Sequence, residues 1–212
     1  MGFYWIKTHT IIKRLFKKYI WDLPNQNNSV YLTFDDGPTP EITNWVLDEL
    51  AKNNIKATFF CIGKNILENP VTYSRILNEG HVVGNHTNNH LNGWKTSDEN
   101  YLENIGTCQK IIDNNKTNTS KLFRPPYGKI RRNQGNQLLS KEYKIIMWDV
   151  LSADFDRNIS PDKCLNNVVN NVKSGSVIVF HDSLKAAKNL QYALPKTIAY
   201  LLKNEFNFEV IK

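Results

Sequence analysis

His86 and His90 stand four residues apart, just after a predicted strand. On a helical turn this spacing puts both rings on one face, close enough to share a metal at about 2.0–2.1 Å. Taken alone, an H-x-x-x-H pair also reads as surface decoration, and it needs a third ligand. No Glu follows the first His, which excludes the zincin protease pattern. Asp35-Asp36, ending an apolar strand, supplies the candidate. Asp-Gly-Pro turn chemistry accounts for Asp36 and Gly37 but not for Asp35. Adjacent carboxylates repel if both stay ionised, and a nearby cation relieves that repulsion. Asp36, His86 and His90 would offer a divalent metal three ligands and open positions, the arrangement of a catalytic centre, and would leave Asp35 free as a base. Other polar groups follow predicted strands: Arg124 in the rigid turn Arg124-Pro125-Pro126-Tyr127-Gly128, Asp154, and His181-Asp182.

These residues need a scaffold that brings strand ends together. From Val30 onward, short β-branched or aromatic runs alternate with helical patterns, as in a parallel sheet covered by helices. Strands are predicted at 30–34, 57–61, 81–83, 121–123, 143–150, 176–180 and 208–211, with helices near 40–52, 70–79, 98–113, 133–141, 161–172 and 190–204. Pro70 and Pro161 suit first helical turns, Ser160 is a cap, and Gly80 ends its helix in the left-handed region. Pro195 must start or kink the second part of the last helix. About seven βα units are short for an eightfold barrel but fit a contracted one. In any parallel α/β architecture, functional residues gather at the carboxyl ends of strands.

Composition excludes several function classes. With 212 residues, 41% hydrophobic and 22% charged, the chain is an ordinary folded protein with one main domain and an appendage. Of the net charge of +7, five units lie in residues 1–21, as Lys7, Lys13, Arg14, Lys17 and Lys18. The body is nearly neutral, which argues against nucleic acid as a partner. Cys61, Cys108 and Cys164 fall inside apolar patterns and read as buried thiols. No uninterrupted apolar stretch of about 7–15 residues marks a secretory signal, so the expected location is cytoplasmic or peripheral to the inner membrane. Residues 1–28 read as a basic amphipathic helix and linker, with Ile11, Ile12, Leu15, Phe16, Tyr19 and Ile20 on one face. That helix either lies on anionic lipid through residues 3–21, helped by Phe3, Tyr4, Trp5 and Trp21, or docks on the domain at 29–212.

The ordered set Thr33-Phe34-Asp35-Asp36-Gly37, His86-Thr87-Asn88-Asn89-His90, Arg124-Pro125-Pro126-Tyr127, Asp154-Phe155 and Val177-Ile178-Val179-Phe180-His181 resembles the five motifs of the polysaccharide deacetylases, the NodB-homology domain of carbohydrate esterase family 4. The resemblance covers about residues 30–211. It implies a distorted, incomplete (β/α)7 TIM-like barrel and metal-dependent removal of N-acetyl, sometimes O-acetyl, groups from a sugar polymer. It casts Asp36, His86 and His90 as ligands of one divalent ion, usually Zn2+, and Asp35 as general base. Arg124 then orients Asp35, the Tyr127 N–H helps form the oxyanion hole, His181 is the general acid, and Asp154 orients His181. Leu151 and Phe155 replace the first Asp and the Trp of the usual fourth motif, and Val179 replaces a Leu. Phe155, Val179 and Tyr127 are expected to contact substrate, the first two as an apolar wall for the acetyl methyl. Competing readings are a hydrolase of small cyclic amides, a glycosidase pairing Asp35 with Asp154 or Asp156, and a glycan-binding relative without turnover.

Overall fold

The computed structural model describes residues 4–24, 27–114 and 121–212. Among the described residues eight strands run parallel: β1 (Ser29–Asp35), β2 (Thr58–Cys61), β3 (Val82–Asn85), β4 (Leu122–Phe123), β5 (Lys144–Ile145), β6 (Val150–Leu151), β7 (Val177–His181) and β8 (Asn207–Phe208). They are ordered β5-β4-β3-β2-β1-β7-β6, with β8 beside the start of β1. This is the expected incomplete (β/α)7 barrel. β1 is central and buried along its whole length, so it reads as a continuous apolar run until its terminal aspartate. Phe34 of β1 stacks between Phe59 and Phe180 of the neighbouring strands, with ring centroids 5.0 and 6.2 Å away.

The helices are α1 (Thr10–Leu15), α2 (Pro40–Lys52), α3 (Gly63–Glu68), α4 (Pro70–Asn78), α5 (Asp98–Asp113), α6 (Arg132–Ser140), α7 (Pro161–Val169) and α8 (Ala187–Lys203). Pro70 and Pro161 open α4 and α7, Ser160 caps α7 by accepting from the Lys163 N–H, and Gly80 has φ +80°. α8 runs through Pro195 without interruption. α3 is an addition: with six residues, of which only Gly63 and Ile66 are buried, it has no apolar stripe to announce it. All three cysteines are buried thiols outside any disulfide.

Two expectations change. The predicted strand at 143–150 is two strands, β5 and β6, at opposite ends of the strand order, with 146–149 crossing the gap. Periodicity could not separate them because the run is apolar apart from Lys144 and Asp149. The N-terminal helix is only α1, and none of its residues is buried. The rest of the segment straps across the gap. Leu151 N–H donates to the Ile6 carbonyl (2.8 Å), Thr8 N–H to Asp149 (3.0 Å), Ile20 N–H to Ile145 (2.9 Å) and Met147 N–H to Ile20 (2.7 Å). Tyr19 and Trp21 pack on the barrel, whereas Ile11, Leu15 and Phe16 stay exposed, so the amphipathic stripe is split between two environments. Phe3 lies outside the described residues. No described helix is long and apolar enough to cross a membrane.

Charge latches the strap. Asp149 is fully buried and receives Lys7 (2.5 Å), Lys13 and the Ser176 hydroxyl. Burial alone would raise its pKa, but Lys13, Lys7 and Ser176 hold it below the ordinary value. Its contribution to stability is therefore present at neutral pH and lost as pH falls through that lowered value. Asp149→Ala leaves both ammonium groups without their shared partner and should lower the urea unfolding free energy at pH 7 by about 1–3 kcal/mol. An unchanged midpoint would show that the strap is not held by this latch.

Candidate active site

The β1–β7 register sets Asp35 directly beside His181, and the β1–β2 register sets it beside Phe60. Side chains of paired residues in a parallel ladder point the same way, so a carboxylate and an imidazole emerge together at the strand ends. Arg124, at the end of β4, fixes the carboxylate. Its guanidinium is fully buried and donates from Nη1 to Asp35 Oδ1 (2.6 Å) and Thr33 Oγ1 (2.7 Å), and from Nη2 to the Met147 carbonyl (2.9 Å). It also lies 4.1 Å from the Phe60 ring centroid. Burial lowers the Arg124 pKa and Asp35 opposes that shift. The 146–149 crossing thus serves the site by turning carbonyls onto Arg124.

On the other side, Asp154 Oδ1 lies 2.8 Å from His181 Nδ1, and Asp154 Oδ2 accepts the His181 N–H at 2.7 Å. Burial would lower the His181 pKa, but Asp154, helped by Asp36 and Asp35, raises it to about 9. A cation on Asp36 would remove that residue's share of the rise and leave Asp154 to supply most of it.

Asp36, His86 and His90 converge, with one potential ligand atom from each lying within 4.8 Å of the others. Asp36 Oδ1 is 3.1 Å from His90 Nε2 and 3.6 Å from His86 Nε2. The two histidines do not share a helical turn, contrary to the spacing argument. They flank a loop in which Thr87 has φ +64° and His90 φ +55°, and the ring centroids still approach to 5.1 Å. Other residues hold this loop: Asn104 Oδ1 accepts the N–H groups of Asn88 (2.8 Å) and Asn89 (3.1 Å), and Gly63 N–H donates to the Thr87 carbonyl (3.0 Å).

His86 is decisive for the chemistry. Burial lowers its pKa to about 4, so the ring is neutral at pH 7. Its Nδ1 lies 2.8 Å from the Arg124 carbonyl, which can only accept, so Nδ1 carries the proton and Nε2 is a bare lone pair. That lone pair faces Asp36 Oδ1, a buried oxygen with no hydrogen-bond donor. Burial would raise the Asp36 carboxyl, yet contact with His90 and the charge of His181 hold it well below the usual range. Acceptors facing acceptors in a buried site fit a cation, with the backbone carbonyl fixing the imidazole orientation as at metal centres.

The backbone at Asp36 is built for this placement. Asp36 has φ +83°, and its carbonyl accepts from Asn65 Nδ2 at 2.7 Å. Asp182 accepts the Gly37 N–H (3.0 Å) and the Thr43 hydroxyl, and burial with Asp36 nearby pushes its carboxyl up to about 8. A Cβ on Gly37 would sit 1.9 Å from Asp182 Oδ2, so only glycine fits there.

A cleft of about 450 Å³ opens over these groups and is lined by Asp35, Asp36, His181, Tyr127, Phe155 and Val179, among others. Tyr127 has φ +60°, and its hydroxyl lies 3.1 Å from His90 Nδ1. Phe155 meets His181 edge-on at 5.0 Å. Of the candidate site residues, Asp35, Asp36, His86, His90, Tyr127, Phe155, Val179 and His181 line one cleft, and Arg124 and Asp154 support it from behind.

Comparison with known proteins gives the family. The polysaccharide deacetylase family model matches residues 22–146. The chain belongs to the polysaccharide deacetylase family. One peptidoglycan-N-acetylglucosamine deacetylase of Bacillus cereus is 39% identical over 165 residues, covering 78% of this chain but only 60% of that protein. Another from Bacillus cereus is 35% identical over 192 residues, 90% of each chain. A solved peptidoglycan N-acetylglucosamine deacetylase in complex with an N-hydroxybenzamide has a TM-score of 0.88 at 35% identity over 94% of each chain. Within this polysaccharide deacetylase fold, sequence reasoning missed Thr33, Asn104 and Asp182 as supports. Asp182 directly follows His181 and invited notice; Asn104 lies mid-helix with nothing to distinguish it.

Titrating the protein with Zn2+ should raise its Tm, with a gain of about 2.7 kcal/mol at free metal 100-fold above Kd. Asp36→Asn or His86→Ala should abolish that gain. A zinc-dependent shift that survives both substitutions would place the cation elsewhere.

Proposed function

We propose that the chain hydrolyses N-acetyl groups from a glycan, releasing acetate, with peptidoglycan N-acetylglucosamine as the first substrate class to test. The observation that carries this reading is the bare His86 Nε2 facing the donor-less Asp36 oxygen, with Asp35 and His181 side by side in the same cleft. Asp36, His86 and His90 would hold one divalent ion, and a donor set of two imidazoles and one carboxylate suits Zn2+. Such an ion, when bound, lowers the pKa of water and polarises the acetyl carbonyl.

The chain's own residues then divide the proton work. Asp35, held by Arg124 and pointing into the cleft, takes the proton of the water that adds to the carbonyl carbon. The Tyr127 N–H donates to the developing oxyanion. Phe155 and Val179 pack on the acetyl methyl and exclude water from it. As the C–N bond breaks, His181 delivers its proton to the departing nitrogen, because an amide anion is a very poor leaving group. Asp154 keeps His181 protonated for that step.

Acetate release from N-acetylated glycan strands, chitin oligomers and acetylated xylan is the direct assay. Metal-loaded protein should release acetate from at least one, without new reducing ends. None from any of them would refute the proposal; reducing ends would favour the glycosidase, and turnover of cyclic amides alone the other hydrolase. Asp35→Asn should lower kcat by about 10²–10⁴-fold with zinc affinity retained, and near-normal turnover would overturn its role as base. The pH profile of kcat/KM should be bell-shaped, with an alkaline limb at or below about 9. Asp154→Asn removes the group that raises His181, so this limb should move to lower pH; an unmoved limb would mean His181 is not the acid.

A further inference from the structure

Tyr4 belongs to none of the matched motifs, and the sequence groups it with aromatics available to lipid. The fold takes it elsewhere. Two residues after Tyr4 the strap is tied to β6 through the Ile6 carbonyl, and Lys7 is latched to Asp149. This delivers Tyr4 into the lining of the cleft that holds Asp35, Asp36 and His181. Its hydroxyl donates to Asp156 Oδ2 at 2.6 Å, across 152 residues of chain. Asp156 is itself fixed, because Oδ1 accepts from the backbone and side chain of Asn158, both at 3.0 Å. The Tyr4 ring meets Phe155 edge-on, with centroids 5.4 Å apart and planes at 71°. Lys185 Nζ lies 5.4 Å from the same Phe155 ring and also lines the cleft.

We propose that Tyr4 contacts the glycan, forming with Phe155 an aromatic wall on the His181 side of the cleft against which the apolar face of a hexosamine ring packs. The inference rests on the deacetylase reading for the identity of that sugar. A large rigid ring with two torsions covers much ligand surface at small entropic cost, and its hydroxyl is already satisfied by Asp156. Phe155 stands where the resemblance leads one to expect the larger Trp, so Tyr4 supplies aromatic surface that Phe155 alone lacks.

The test is binding of the N-acetylglucosamine tetramer to the zinc-loaded 212-residue chain by calorimetry, paired with acetate release. Tyr4→Ala should weaken Kd about tenfold and raise KM to match. Tyr4→Phe and Asp156→Asn, which keep the ring and lose only its anchor, should each weaken binding about threefold, and the double variant no further than either alone. Thermal unfolding of each variant confirms the fold, and Tyr4→Trp should bind as the wild type does. A Tyr4→Ala Kd within twofold of wild type, or no binding of the tetramer by wild type, overturns the proposal. So does a loss confined to kcat with a shifted alkaline limb, which would make Tyr4 a support of His181. Wild type that binds the tetramer but releases acetate neither from it nor from any other glycan of the panel would instead sink the deacetylase reading, while the Kd ratio still judges Tyr4.

Discussion

A buried carboxylate oxygen with no donor is costly, and facing it with the lone pair of a neutral imidazole adds to the cost. Asp36 Oδ1 and His86 Nε2 stand in that relation because the Arg124 carbonyl claims the one proton His86 carries. The surrounding fold preserves the arrangement instead of relieving it. Asp182 grips Gly37 and Thr43 around the turn, Asn65 holds the Asp36 carbonyl, and Asn104 and Gly63 hold the histidine loop. Strain of this kind persists at functional sites when neighbours over-determine it, and a cation relieves it.

Around that point the barrel distributes opposite electrostatic tasks. β1 and β7 carry Asp35 and His181 side by side, yet each has its own partner: a buried guanidinium for the carboxylate, a buried carboxylate for the imidazole. Arg124 depends in turn on carbonyls of the 146–149 crossing, and that crossing is bonded by the N-terminal strap. A basic segment at the far end of the sequence is thus connected to the orientation of Asp35 through backbone hydrogen bonds, without touching it.

Much of this was legible in the residues. Several strand ends were recoverable because the apolar run stops at a polar group, as at Asp35, Arg124 and His181, and helix starts because Pro70, Pro161 and Ser160 are local signals. The ligand set was legible because Asp35-Asp36 and the two histidines lack a sufficient alternative reading together. What stayed hidden was non-local. The break between β5 and β6 shows only in their different partners, β4 and β7, and in a strap bonded from more than a hundred residues away, which also splits the N-terminal apolar face between barrel and solvent. Tyr4 and Asn104 act through contacts that no spacing encodes. The histidine pair met for a different reason than its spacing suggested: a loop with two left-handed residues, not a helical turn.

Anomalous diffraction from zinc-loaded crystals tests the gathering of Asp36, His86 and His90 around one cation most directly. A single strong peak within about 2.0–2.2 Å of an Asp36 carboxylate oxygen and both imidazole Nε2 atoms is the expected result. A peak bonded to other residues, or a fully loaded crystal with His86 turned away from the ion, would contradict it.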